Sequence, residues 1–155
     1  MNANPLAMLS KASLAITVLA AIGFNPSLQA ANPQQVEQLL KTGECQGCDL
    51  SGANLSGQHL LGADLRNANL KGANLIQTNL EGADLTGANL EGANLTASFA
   101  TNATMTLANL DRANLSQAQL YDTDVQGASM VALILDNANI FNTGIGIGGG
   151  GEETP

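Results

Sequence analysis

Ala63-Asp64-Leu65-Arg66-Asn67-Ala68-Asn69-Leu70-Lys71-Gly72-Ala73-Asn74-Leu75 restates itself every five residues, and the same period runs from Cys48 to Asn142. Counting by fives from Leu50 to Ile140, Leu occupies fourteen of nineteen positions. The five exceptions, Ala100, Met105, Val125, Met130 and Ile140, are all apolar, so the column never lapses into polarity. Ala dominates two residues before this column, and Asn or Asp stands between the two. Gly recurs two residues after it, as at Gly62, Gly72 and Gly82.

No single regular element accommodates that period. On an α-helix the Leu residues spiral around the axis. On a straight strand an odd period sends alternate Leu side chains to opposite faces. The chain must therefore bend once per repeat. Ala and Leu, two apart in an extended segment, point the same way, and the Asn or Asp between them points out. The last two residues make the corner, where Gly admits unusual dihedrals. Bending repeatedly with one side inward gives an all-β solenoid. Its expected core is Leu50, Leu55, Leu65, Leu70, Leu75, Leu80, Leu85, Leu90, Leu110 and Leu115, with the Ala column beside it. Outward Asn residues of successive coils, which are Asn54, Asn74, Asn94 and Asn114 if four repeats make a coil, are expected to hydrogen-bond to one another along the rod.

These repeats resemble the A(N/D)LXX pattern of the pentapeptide-repeat family, over residues 48–142 without an insertion. The resemblance implies a right-handed quadrilateral β-helix with four repeats per coil, hence just under five coils. At roughly 4.8 Å per coil the rod is on the order of 20–25 Å long.

Residues 1–30 read as a signal peptide: Lys11, the apolar run Leu14 to Phe24, the break at Asn25-Pro26, and a cleavage site after Leu28-Gln29-Ala30. The run is short for a membrane span, which needs about 20 residues. No stable membrane span is expected after cleavage, and an uncleaved anchor is the alternative. Cleavage leaves four basic and thirteen acidic residues, net −9. That balance argues against nucleic-acid binding, which needs clustered Lys and Arg.

Residues 31–47 are expected to form an N-terminal cap helix and an entry to the repeats. Asn32 suits the N-cap, Pro33 the first helical position, and Gln35 the capping box; Val36, Leu39 and Leu40 share a face, and Gly43 stops the helix. A solenoid needs such a lid over its open end. Cys45-Gln46-Gly47-Cys48 follows. Export favours a Cys45–Cys48 disulfide; a redox centre lacks a surrounding βαβ pattern, and a metal site lacks a second Cys pair. The segment Leu39 to Leu50 also resembles the entry to the repeats in exported and thylakoid-lumenal members of the family. His59, the only His, falls in an outward position, and zinc wants four ligands where His59, Cys45 and Cys48 make three. No metal and no cofactor are expected.

The pattern lapses in two places. From Phe99 to Leu107, Phe99 and Thr104 replace Asn or Asp, and Ala100 replaces Leu. Under a four-repeat coil Leu61, Phe99, Tyr121 and Phe141 share one side and make an expected interaction surface. In the last coil Leu133-Ile134-Leu135 is apolar throughout, marking Leu133 and Phe141 as parts of a docking or homodimer surface at the C-terminal coil. Residues 143–155 are a Gly-rich tail, expected to be flexible.

No catalytic constellation or phosphate loop is present, so an enzyme is not expected. The chain reads as a scaffold or interaction module with an unknown protein partner, exported to the periplasm or the thylakoid lumen. Two alternatives stand beside it. The family resemblance implies an acidic DNA mimic that binds a topoisomerase such as gyrase, and Cys45–Cys48 suggests a redox-responsive protein.

Overall fold

The computed structural model describes residues 31–145; the expected signal segment 1–30 and most of the Gly-rich tail lie outside the described residues. The chain returns to the same lateral position every twenty residues. Parallel bridges join Asp49 to Asn69, Asn69 to Asn89 and Asn89 to Asn109, and likewise on three other sides. Four pentapeptides therefore make one coil. Each coil is tied to the next by backbone bonds on both flanks of the Asn/Asp position. Leu70 N–H donates to Asn89 O at 2.8 Å, and Asn89 N–H donates to Ala68 O at 2.9 Å. Among the described residues, continuous strand pairing is confined to β1 (Gln119–Tyr121) and β2 (Asn139–Phe141), parallel and in register, with Tyr121 beside Phe141.

The corners explain the period. Leu50 O accepts from Ala53 N–H at 3.0 Å, closing a four-residue turn whose third residue has positive φ. That is the type II pattern. The conformation persists where glycine is absent, at Leu107 (φ 58°) and Arg112 (φ 57°), so the stack imposes it on residues that would not choose it.

All ten expected core leucines are buried. The lapse at Phe99 to Leu107 leaves the stack intact: Ala100 and Met105 are both fully buried, and Phe99 still bridges Asn79 and Gln119. In the Ala column, hydroxyls replace methyls at a few places. Thr78 Oγ1 donates to Leu55 O at 2.8 Å and Thr123 Oγ1 to Ala100 O at 2.7 Å. The buried Ser98 hydroxyl finds no partner among the described residues. A buried hydroxyl without a partner costs more than its removal. Ser98→Ala should therefore raise the unfolding free energy, by about 1 kcal/mol, measurable as a higher denaturant midpoint with an unchanged slope.

Helix α1 (Pro33–Thr42) packs against the first coil. The Asn32 side chain accepts from Gln34 N–H at 3.0 Å, and Gly43 takes the left-handed C-cap. Gln35 acts differently from the capping-box role read in the sequence. Its Oε1 accepts from Asp49 N–H at 2.7 Å and so joins helix to coil. Gln38 Nε2 donates to Glu44 O at 2.8 Å, and Leu39 is buried in the same core as Cys45, Cys48 and Leu50.

Candidate functional site

The Asn/Asp column is a structural device. In coil after coil its Oδ1 accepts from the backbone N–H two residues on, as in Asn79 to Glu81 (2.9 Å), Asp84 to Thr86 (2.9 Å) and Asn114 to Ser116 (2.9 Å). This corrects the expected ladder along the rod. Within this column, amide bonds between coils join Asn69 Nδ2 to Asp49 (3.0 Å) and Asn74 Nδ2 to Asn54 (3.1 Å). A short side chain that bonds two residues ahead competes best for its own corner. The polar column therefore supports the turn and is not free for a ligand.

The described ion pairs use four acidic residues, Glu37, Asp64, Asp84 and Glu91. Asp64 and Asp84 stack as the repeat requires, but Arg66 lies between them, 2.5 Å from Asp64 and 3.8 Å from Asp84. Its guanidinium, hydrogen-bonded to Asp64, holds that carboxyl below the usual range. Lys71 and Arg112 both meet Glu91, and Lys41 meets Glu37 within α1. All four described Lys and Arg side chains thus have acidic partners. Among the described residues no group of three or more His, Cys, Asp or Glu is arranged to hold a metal ion. An open hollow of about 280 Å³ near the end of the rod is lined by Asp122, Asp124, Gln126 and Asn142, among others. Asn142 already donates to Asp122, and Thr106 to Asp124.

Cys45 and Cys48 are joined in the structure, with Cα atoms 5.2 Å apart. Both are buried beneath α1, so the sulfurs do not face solvent. His59 is exposed in the outward column.

The apolar exterior gathers toward the C-terminal half. Tyr121 and Phe141 are register neighbours on β1 and β2, and Phe99 sits one coil earlier, bridged to Gln119. Their exposures are 38%, 67% and 40%. Leu61, 66% exposed, shares the side but lies three coils from Tyr121 with Glu81 and Thr101 between, roughly 14 Å away at the interstrand spacing. The expected four-residue surface is thus three aromatics and a separate leucine. Leu133 faces inward at the end of the stack and is only half-buried, because no coil follows it among the described residues. Beside it the outward Ile134 is exposed, and so is Val131, which went unread in the sequence. Each replaces a polar residue at a position twenty after another, Asp111 and Asn114, which is the signal that would have found Val131.

Residues 48–87 and 88–127 match the family described as pentapeptide repeats, in eight copies. The chain belongs to the pentapeptide-repeat family. Proteins of that family fold as right-handed quadrilateral β-helices, and generally act as structural or interaction proteins. Among solved structures, a pentapeptide repeat protein from Nostoc Pcc 7120 is 30% identical, with a TM-score of 0.57, over 68% of this chain and 96% of that one. A pentapeptide repeat protein from the Arabidopsis thaliana thylakoid lumen is also 30% identical, over 68% of each chain, with a TM-score of 0.45. QnrB1, a plasmid-mediated fluoroquinolone resistance protein, is 19% identical with a TM-score of 0.33, over 64% of this chain and 62% of that one. No curated protein matches the chain.

Proposed function

We propose that this pentapeptide-repeat protein is an exported, non-enzymatic interaction module whose partner docks on the side bearing Phe99, Tyr121 and Phe141. The observation that carries the reading is the placement of those three aromatics. They project from the outward columns of a stack whose other outward positions are mostly polar and bound to their own corners. Aromatic side chains exposed on a rigid scaffold provide contact area with little entropy to lose. In this reading the rod has just under five coils, α1 is its lid, and residues after 142 form a tail. The last coil meets a second copy of the chain.

Export rests on residues 1–30: the basic Lys11, the apolar run and the small residue at Ala30. The periplasm or the thylakoid lumen is the destination, and either oxidising compartment keeps Cys45 and Cys48 bridged. Among the described residues no helix is long and apolar enough to cross a membrane.

The DNA-mimic reading is disfavoured on the stretch where Asp64, Asp84 and Glu91 are matched by Arg66, Lys71 and Arg112, since a phosphate-like array needs unpaired carboxylates in succession. The redox reading is disfavoured by burial, because thiol exchange requires access to a sulfur.

Affinity capture from the native compartment tests the proposal by comparing wild type with Phe99→Ala and Tyr121→Ala. Each substitution should weaken retention of the partner about tenfold or more, since aromatic anchors contribute on the order of 2 kcal/mol. Unfolding midpoints should stay close to wild type, because both rings are exposed. Equal capture by all three proteins would refute the aromatic side as the docking face.

A further inference from the structure

The side that carries the aromatics differs from the rest of the rod in charge as well as in shape. Tyr121 and Phe141 are register partners on β1 and β2, in successive coils about 4.8 Å apart. Phe99 stands one coil before Gln119. Exposed carboxylates frame the rings. Glu81 lies two coils before Tyr121 at the same corner, Asp122 follows Tyr121 in the chain, and Asp136 stands at the corner that opens this side in the last coil. None of these acids has a Lys or Arg partner among the described residues. The described cations lie elsewhere, Lys41 on α1 and Arg66, Lys71 and Arg112 at other corners, each bound to an acid there.

The outward polar column changes here too. Asn79, earlier on this side, accepts from the N–H of Glu81 and so serves its own corner. Gln119 and Asn139, which follow Phe99 on this side, make no side-chain hydrogen bond among the described residues. Each amide offers both a donor and an acceptor to a backbone laid across the rings. The chain itself is a poor source of the complementary charge. Residues 146–155 contain Glu152 and Glu153 and no Lys or Arg. A second copy brings described cations that already bind carboxylates of their own. Nucleic acid and anionic lipid are repelled, since both bind through clustered cations.

We infer that this side takes an extended segment of another protein in which Lys or Arg recurs at alternate positions. This deepens, and rests on, the reading of the chain as an interaction module. In an extended segment alternate side chains point the same way, so cations at every second residue all face the rod. A cation over a ring face is attracted by the quadrupole of the ring. A carboxylate nearby accepts its N–H groups in charge-assisted bonds. Arg suits both tasks, because its plane stacks on a ring while its fork reaches a carboxylate. Tyr121 and Asp122 supply ring and carboxylate from adjacent residues. Asp122 keeps one oxygen for this, the other accepting from Asn142 Nδ2. The amides of Gln119 and Asn139 meet the backbone of the segment between its cations.

Fluorescence anisotropy tests this on the full chain with a labelled peptide of alternating Arg and Ser, about ten residues and roughly 33 Å long when extended. The peptide should bind the wild type, and a Gln–Ser counterpart should bind on the order of tenfold more weakly. Tyr121→Ala should weaken binding of the Arg–Ser peptide about tenfold. Glu81→Gln and Asp122→Asn together should weaken it about fivefold. Asn accepts the positive φ of 51° at position 122, so that variant keeps its corner. Glu44→Gln removes a charge from the first coil, away from the rings, and should leave binding within about twofold. A loss in Glu44→Gln as large as in the Glu81 and Asp122 variant would reduce the effect to net charge and overturn the proposal. So would equal binding of the Gln–Ser peptide. Binding that appears only once residues 146–155 are deleted would assign the side to the tail and overturn it as well. If Phe99→Ala and Tyr121→Ala lose the captured partner while the Arg–Ser peptide fails to bind the wild type, this inference falls and the aromatic docking face stands.

Discussion

Leu85→Ala should lower the unfolding free energy by about 3 kcal/mol. Leu85 is fully buried in the middle of its column, between Leu65 above and Met105 below, and its N–H donates to Thr104 O at 2.7 Å. Because coils on both sides hold the backbone, the lost volume has nowhere to collapse, and the cavity cost adds to the transfer cost. Leu135→Ala makes a useful contrast. That residue is half-buried at the open end, with no coil beyond it among the described residues, and should lose only about 1 kcal/mol. Chemical denaturation of the two variants checks the difference. Equal losses would mean that stability does not follow nearest-neighbour stacking along the rod.

The second large effect is expected at a corner. Gly87 has φ of 67°, and a Cβ there would stand 2.6 Å from Asn67 Oδ1 in the coil above. Gly87→Val combines a β-branched residue in the left-handed region with a contact that Asn67 must vacate. It should cost about 2–3 kcal/mol. Gly72→Val separates the two causes. Its φ is 64° but nothing lies within 4 Å of the added Cβ, so only the conformational cost remains, about 1 kcal/mol. Thermal or denaturant midpoints of the two variants measure both. If they fall together, the crowding between coils contributes nothing.

Most of the repeat's architecture was readable because it rests on local rules. The Leu and Ala columns are spaced two apart, and an extended tripeptide sends both inward regardless of what surrounds it. Helix α1 was equally open to reading, since Asn32, Pro33 and Gly43 carry stop and start signals. The Asn/Asp column was misread in its purpose because two hydrogen-bond partners compete for the same oxygen. The neighbouring coil and the residue two ahead both lie within reach, and only three-dimensional placement decides between them. Gln35 was misassigned for a similar reason: its partner, Asp49, is fourteen residues away.

The candidate surface was legible in part. That Phe99, Tyr121 and Phe141 share a side follows from the twenty-residue coil. That Leu61 stands apart follows from counting coils, which register confirms. Val131 went unread although it stands twenty residues after Asp111, at the same corner position one coil on.

By itself the sequence determined which side chains face inward, where the chain turns, and that the N-terminal end carries a helix, because each depends on residues a few positions apart. The tertiary structure alone decided how Arg66 sits between two stacked aspartates and how α1 bonds to the first coil. Those depend on what lies twenty residues away in the chain and one coil away in space, a distance across which a local pattern carries no hydrogen bond.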